Sequence, residues 1–206
     1  MYEDDVVREL IRPWLGRSDL AYARERQFDH GARRADVVRL KQGQIVAYEI
    51  KSDRDSFARL EQQAISYQRC FLYSYLVVTP GMLAKAPIDK IGSMGIKVVQ
   101  PGVIETYRKA TRSNMFCAMT HLDLLKRSQL AKHASRQAIA GGKAGMAKGI
   151  ADTLNERQVC ALVYECWFNE TKAITDMFEA ELPHNKYMHP DDLMILFART
   201  TQLTLR

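Results

Sequence analysis

Residues 35–53 read ADVVRLKQGQIVAYEIKSD. Two apolar-rich runs, 35–40 and 44–51, flank a short polar connection that contains Gly43. That pattern predicts two strands joined as a hairpin. Side chains of a strand alternate between faces. In the second run Val46, Tyr48 and Ile50 therefore point one way, and Ala47, Glu49 and Lys51 the other. Glu49 and Lys51 become neighbours, and the hairpin folds Asp36 back toward them from the preceding strand. An exposed ion pair is the plainer reading of this grouping, and such pairs contribute little. Read as chemistry, two carboxylates and a backbone carbonyl suit Mg²⁺, a hard cation that keeps several waters. Such an ion acidifies a bound water, and a lysine beside it positions that water or offsets charge on a phosphate.

Working outward, residues 2–15 predict a helix from the spacing of Val6, Val7, Leu10 and Ile11, with Pro13 marking a bend or an end. Glu3 falls at the margin of its apolar stripe. It could reach the site as a third carboxylate, or serve as an N-terminal acid favoured by the helix dipole. Residues 22–30 carry a weak edge-strand signal. Downstream, Ser52 or Asp53 can cap a helix over 54–69. In it Gln63 and Tyr67, four apart, share a face that can look back at the carboxylates or simply pack in the core. Strands are expected at 73–79 (YSYLVVT) and 96–100 (IKVVQ), with a short helix between them. The expected order is helix, three strands, helix, strand, and one more strand.

Asp36, the Glu49-Ile50-Lys51 triplet and this element order resemble the PD-(D/E)XK nuclease superfamily, whose restriction-endonuclease-like fold has an αβββαβ core. Gln63-Ala64-Ile65-Ser66-Tyr67 is similar to the QxxxY motif of its RecB-like branch, and Glu3 to a first-helix glutamate of many members. Ala35, where the motif usually has proline, is a departure. The resemblance spans about residues 1–100. It implies an α/β fold and a Mg²⁺- or Mn²⁺-dependent deoxyribonuclease. Asp36, Glu49 and the Ile50 carbonyl would be metal ligands, with Glu3 an extra one. Lys51 would handle the attacking water, and Gln63 and Tyr67 would support the site. The alternative is a DNA-binding or regulatory module that keeps the fold and cuts nothing.

The rest of the chain bears on the partner. Of 206 residues 47% are hydrophobic and 26% charged, which suits a folded globular chain. Net charge is +6. Residues 107–149 hold nine lysines and arginines against Asp123 alone, so this segment is more basic than the whole chain. A basic segment suits a polyanion. Lys126, Arg127, Lys132, Arg136, Lys143 and Lys148 are the candidate phosphate contacts, with Gly141, Gly142, Gly145 and Gly149 allowing close approach. A structural bundle with a solvated basic face is the other reading. Helices are expected over about 119–140, 152–168, 170–181 and 190–199, around a Gly-rich connection. This divides the chain into a 1–106 core and a 107–206 helical region. Leu162, Val163, Cys166 and Trp167 read as core. The five histidines lack metal-ligand spacing. Four cysteines without a CxxC pair suggest reduced thiols. The acidic start MYEDDVVREL is unlike a signal peptide, and the apolar runs are too short to span a bilayer. A cytoplasmic protein with DNA as partner, RNA or a second copy being further options, is the expectation.

Overall fold

The computed structural model describes residues 1–183 and 187–197. A six-stranded mixed sheet in the order β1-β2-β3-β4-β5-β6 organises them. The chain begins with α1 (Glu3–Ile11) and a 3₁₀ turn (Arg12–Trp14), then lays down β1 (Leu20–Phe28), β2 (Arg33–Lys41) and β3 (Gln44–Lys51). Helix α2 (Leu60–Cys70) crosses over to β4 (Tyr73–Val78), and α3 (Pro80–Leu83) leads to β5 (Gly95–Gln100) and β6 (Val103–Arg108). Strands β1, β2 and β3 are antiparallel neighbours, while β3, β4 and β5 run parallel. The crossover through α2 is what a parallel β3–β4 pair requires.

The hairpin of the opening stretch forms as expected. Lys41 pairs with Gln44, and Gln42 and Gly43 between them both have positive φ, 50° and 79°. Two left-handed residues make the turn whose twist matches the flanking strands. Strand β3 is buried along nearly its whole length, as befits a strand with neighbours on both edges and helices on the sheet. Trp14 packs on Tyr22 and Tyr48, with ring centroids 5.8 and 5.5 Å away. Phe28 meets Tyr67 and Phe71 at 4.8 and 5.3 Å. β6, which continues from β5 through Pro101-Gly102, was not expected; it is a mostly exposed edge strand and has no apolar alternation to betray it.

Several helix boundaries differ from the sequence expectation. α2 starts at Leu60, not near 54, and neither Ser52 nor Asp53 caps it. Ser52 is instead bonded to Asp55, and Asp53 to the N-terminal amine and Thr79, so both hold the loop after β3. The 119–140 run is three short helices, α4 (Ala118–Leu122), α5 (Arg127–Ala131) and α6 (Arg136–Ala140). Ser135 caps α6 and so interrupts the run. The Gly-rich segment is helical, within α7 (Gly142–Thr153). A Cβ at Gly145 would come within 2.9 Å of the Ala138 carbonyl oxygen, and one at Gly149 within 2.8 Å of the Ala138 methyl. These two glycines therefore serve close α6–α7 packing and not phosphate approach. The two helices expected at 152–168 and 170–181 are one, α8 (Glu156–Glu181), opened by a reciprocal Asn155–Gln158 capping box. Asn169 does not break it, because Ile174, Thr175 and Phe178 beyond it are buried against the sheet and tertiary packing outweighs propensity. A 3₁₀ segment, Pro190–Phe197, stands where a helix was expected; His184 and positions 198–199 of that expectation lie outside the described residues.

Residues 107–183 share the sheet's core. Thr175 Oγ1 accepts from the Tyr22 amide at 2.8 Å and donates to its carbonyl at 2.8 Å, and Trp167 Nε1 donates to the Leu124 carbonyl. Leu162, Val163 and Trp167 are core residues, as their spacing implied; Cys166 is half-buried at its margin. The four cysteines are free thiols. Among the described residues no helix is long and apolar enough to cross a membrane.

His121 is buried with Nδ1 2.7 Å from the Cys70 carbonyl oxygen, and burial pushes its pKa from 6.5 down to about 4. In that window the unfolded chain takes up a proton that the folded one refuses, so stability is lost as pH falls from 6.5 toward 4. One such proton contributes a slope of up to about 1.4 kcal/mol per pH unit. Urea titrations across this range should show the slope in the wild type and a shallower one in His121→Leu, whatever that variant loses in absolute stability.

Candidate functional site

The last ladder pair of β2 and β3 is Val37 with Tyr48. One step further Asp36 stands opposite Glu49, at the point where the two strands part. The freed amide of Ile50 donates to Asp36 Oδ2 at 2.6 Å, so the aspartate is pinned to the backbone of the strand that carries Glu49 and Lys51. Glu49 Oε1 accepts from Lys51 Nζ at 2.6 Å and from Gln63 Nε2 at 2.5 Å. The glutamate is almost wholly buried and its lysine nearly so, hence this is no surface ion pair. Tyr67, one turn after Gln63 on α2, donates to the Tyr48 carbonyl at 3.3 Å and clamps the helix to β3. Asp36, Glu49, Lys51, Gln63 and Tyr67 thus come together.

Glu3 joins them from the start of α1. Glu3, Asp36 and Glu25 each offer a carboxylate oxygen, all within 4.8 Å of one another. Glu25 was not foreseen. It lies on β1 between the pairs Arg24–Val37 and Arg26–Ala35, directly across from Asp36, and it has a left-handed backbone, φ 52°. A non-glycine residue in that region inside a strand is strained by roughly 1–3 kcal/mol. Neither its sequence neighbours nor the weak β1 pattern signals such a kink. Register places Glu25, Asp36 and Glu49 in one row across three strands.

The charges crowd. Burial, then the negative charge of Glu49, hold the Asp36 carboxyl well above the usual carboxylate range. Burial likewise raises Glu3, although Arg24 opposes it from 3.1 Å, and burial followed by Glu49 and Asp36 keeps the Tyr67 phenol protonated. An all-oxygen donor set whose members repel one another fits a hard divalent cation, which would relieve the repulsion; it does not fit a soft, thiolate-seeking metal.

The basic candidates divide. Lys126 and Lys143 are held by ion pairs to Glu170 (2.8 Å) and Asp123 (2.9 Å). Arg127, Lys132 and Arg136 are exposed on α5 and α6 or just beyond them. Lys148 is paired with Asp152 along α7.

Because Asp36 is a repelled, desolvated acid, Asp36→Asn should raise stability in the absence of divalent ions at neutral pH, by about 1–2 kcal/mol. Its amide oxygen can still accept from Ile50. The sign comes from linkage: an acid raised in the folded state contributes less stability as pH climbs above its ordinary pKa. Urea unfolding at pH 7.5 in EDTA checks this, and a variant less stable than the wild type would contradict it.

No curated protein matches the chain. A protein of unknown function from Silicibacter pomeroyi has a similar structure at 20% identity, over 68% of this chain and 91% of its own, with a TM-score of 0.43, a likeness too distant to support any inference. Residues 5–197 match the family described as Bacteriophage P4 protein cII, and with nearly its whole length inside that match the chain belongs to this family.

Proposed function

We propose that this protein is a metal-dependent nuclease that hydrolyses DNA phosphodiester bonds on a restriction-endonuclease-like core. Family membership names no activity, so the reading rests on side chains. The observation that carries it is the pinning of Asp36 to the Ile50 amide beside the buried Glu49–Lys51–Gln63 group. The order α1-β1-β2-β3-α2-β4 supports the αβββαβ assignment.

Asp36, Glu49 and the Ile50 carbonyl would hold Mg²⁺ or Mn²⁺, with Glu3 and Glu25 at hand. When bound, the ion supplies an acidified water and charge stabilisation at the phosphate. The chain's own residues do the rest. The backbone amide of Ile50 fixes the Asp36 rotamer, and Gln63 fixes that of Glu49. Lys51, anchored on Glu49, presents an ammonium that orients a water or meets negative charge developing on the scissile phosphate. Tyr67 keeps α2, and with it Gln63, in register with β3.

A second reading is a DNA-binding or regulatory module without cleavage. It draws on the double engagement of Glu49 Oε1, which must loosen before that oxygen can ligate.

Two measurements decide. Plasmid and oligonucleotide substrates should be cut in Mg²⁺ or Mn²⁺ and spared in EDTA, and Asp36→Asn or Lys51→Ala should lower the rate by about a hundredfold or more. Cleavage that survives both substitutions removes the site, and salt-sensitive binding with no cleavage in either metal selects the module. Independently of activity, Mn²⁺ should raise the unfolding temperature of the wild type and leave that of Asp36→Asn nearly unmoved, since a ligand stabilises only the state it binds.

A further inference from the structure

A cleft of about 720 Å³ opens beside the carboxylates and counts Glu25 among its walls. One side is the β1–β2 hairpin, whose tip turns through three left-handed residues, Asp29, His30 and Gly31. The other is built by the end of α4 and the start of α7, with Trp167 of α8 behind. Asp123, the one acid among residues 107–149, ties the two sides together. Its Oδ2 accepts from the His30 amide at 2.9 Å, and its Oδ1 lies 2.9 Å from Lys143 Nζ. A single carboxylate thus positions the hairpin tip and a lysine on opposite sides of one opening.

The lining is cationic. Arg24, Arg26, Arg34, Lys126 and Lys143 face it against Glu25 and Asp123. The cations share their partners: Arg26 and Lys126 both lean on Glu170, at 3.4 and 2.8 Å. Arg26 is further fixed by stacking 4.6 Å above the Trp167 ring. Arg34 pairs with Glu25 through Nε yet remains 64% exposed. Guanidinium and ammonium groups held by shared carboxylates keep donors free for phosphate oxygens. The volume is that of a pocket for a drug-sized ligand, enough for one or two nucleotides. A duplex, whose major groove alone is about 12 Å wide, does not enter such a space, whereas a single strand tracks a basic groove readily.

Resting on the nuclease reading for where the strand leads, we infer that this cleft binds the phosphates of a single nucleic-acid strand and delivers it past Glu25 to the carboxylates, so that the substrate is single-stranded or locally unpaired. Fluorescence anisotropy in EDTA, with a labelled oligothymidylate and the corresponding duplex, tests it on the full chain. The single strand should bind about tenfold or more tightly than the duplex. Arg34→Ala/Lys143→Ala should weaken that binding about tenfold and flatten the log–log salt slope by about 1. Lys126→Ala, exposed and outside the Asp123 tie, should weaken it in the same sense, and guards against a folding defect in the double variant. The charge-matched Lys85→Ala/Lys90→Ala, whose lysines are exposed elsewhere, should bind as wild type does. Equal affinity for the duplex, unchanged binding by the cleft variants, or an equal loss in the control overturns the inference. The two readings fail separately. Normal binding by the cleft variants alongside cleavage lost in Asp36→Asn sinks the cleft alone; the expected binding pattern with no metal-dependent cleavage sinks the nuclease alone.

Discussion

The two-residue turn at Gln42-Gly43 sets the register of β2 against β3, and the candidate chemistry hangs on that register. A slip by one residue would turn every side chain of one strand to the opposite face. With the turn closed, Asp36 meets Glu49 at the parting of the strands, and the Ile50 amide, released from the ladder, takes the aspartate as its acceptor. A buried backbone N–H needs a partner, so the parting of the strands and the placement of the acid are one arrangement satisfying one donor.

Around that point the fold accepts unfavourable terms. Three carboxylates crowd within an ion's reach, Asp36 is desolvated beside Glu49, and Glu25 occupies a left-handed conformation inside a strand. Strain and repulsion of this sort persist only where the surroundings over-determine them. Here the determinants are identifiable: β1 and β2 keep their pairing on both sides of Glu25, and α2 is anchored to β3 through Gln63 and Tyr67. Perturbed acids gathered at a sheet margin mark a functional site more often than a structural one.

The C-terminal helices contribute more than bulk. α8 lies along β1, with Thr175 bonded to both polar groups of the Tyr22 backbone, and it carries Trp167 and Glu170 beneath the arginines of the cleft. The basic segment reaches the carboxylates only because α4 and α7 are turned back onto the hairpin tip through Asp123. A run of charge that reads as a solvated face is thereby split: Lys126 and Lys143 join the cleft, whereas Arg127, Lys132, Arg136 and Lys148 do not line it.

What the sequence determined by itself was local. Alternation along 44–51 put Glu49 and Lys51 on one face, Gly43 announced the hairpin that returns Asp36, and the four-residue spacing of Gln63 and Tyr67 set both on one side of α2. These signals lie within a strand, a turn and a helix, where period and turn chemistry are directly written. Only the tertiary structure decided the rest. Glu25 enters the site through a backbone kink that its neighbours do not encode and that pairing across β2 imposes. β6 exists because β5 offers an edge, not because its own residues alternate. α8 runs unbroken through Asn169 because the sheet buries Ile174, Thr175 and Phe178 in the turns beyond it. The glycines of α7 are spent on contact with α6, a demand that arises only when two helices meet. In each case the deciding partner is distant along the chain, and propensity, being a sum over neighbours, carries no record of it.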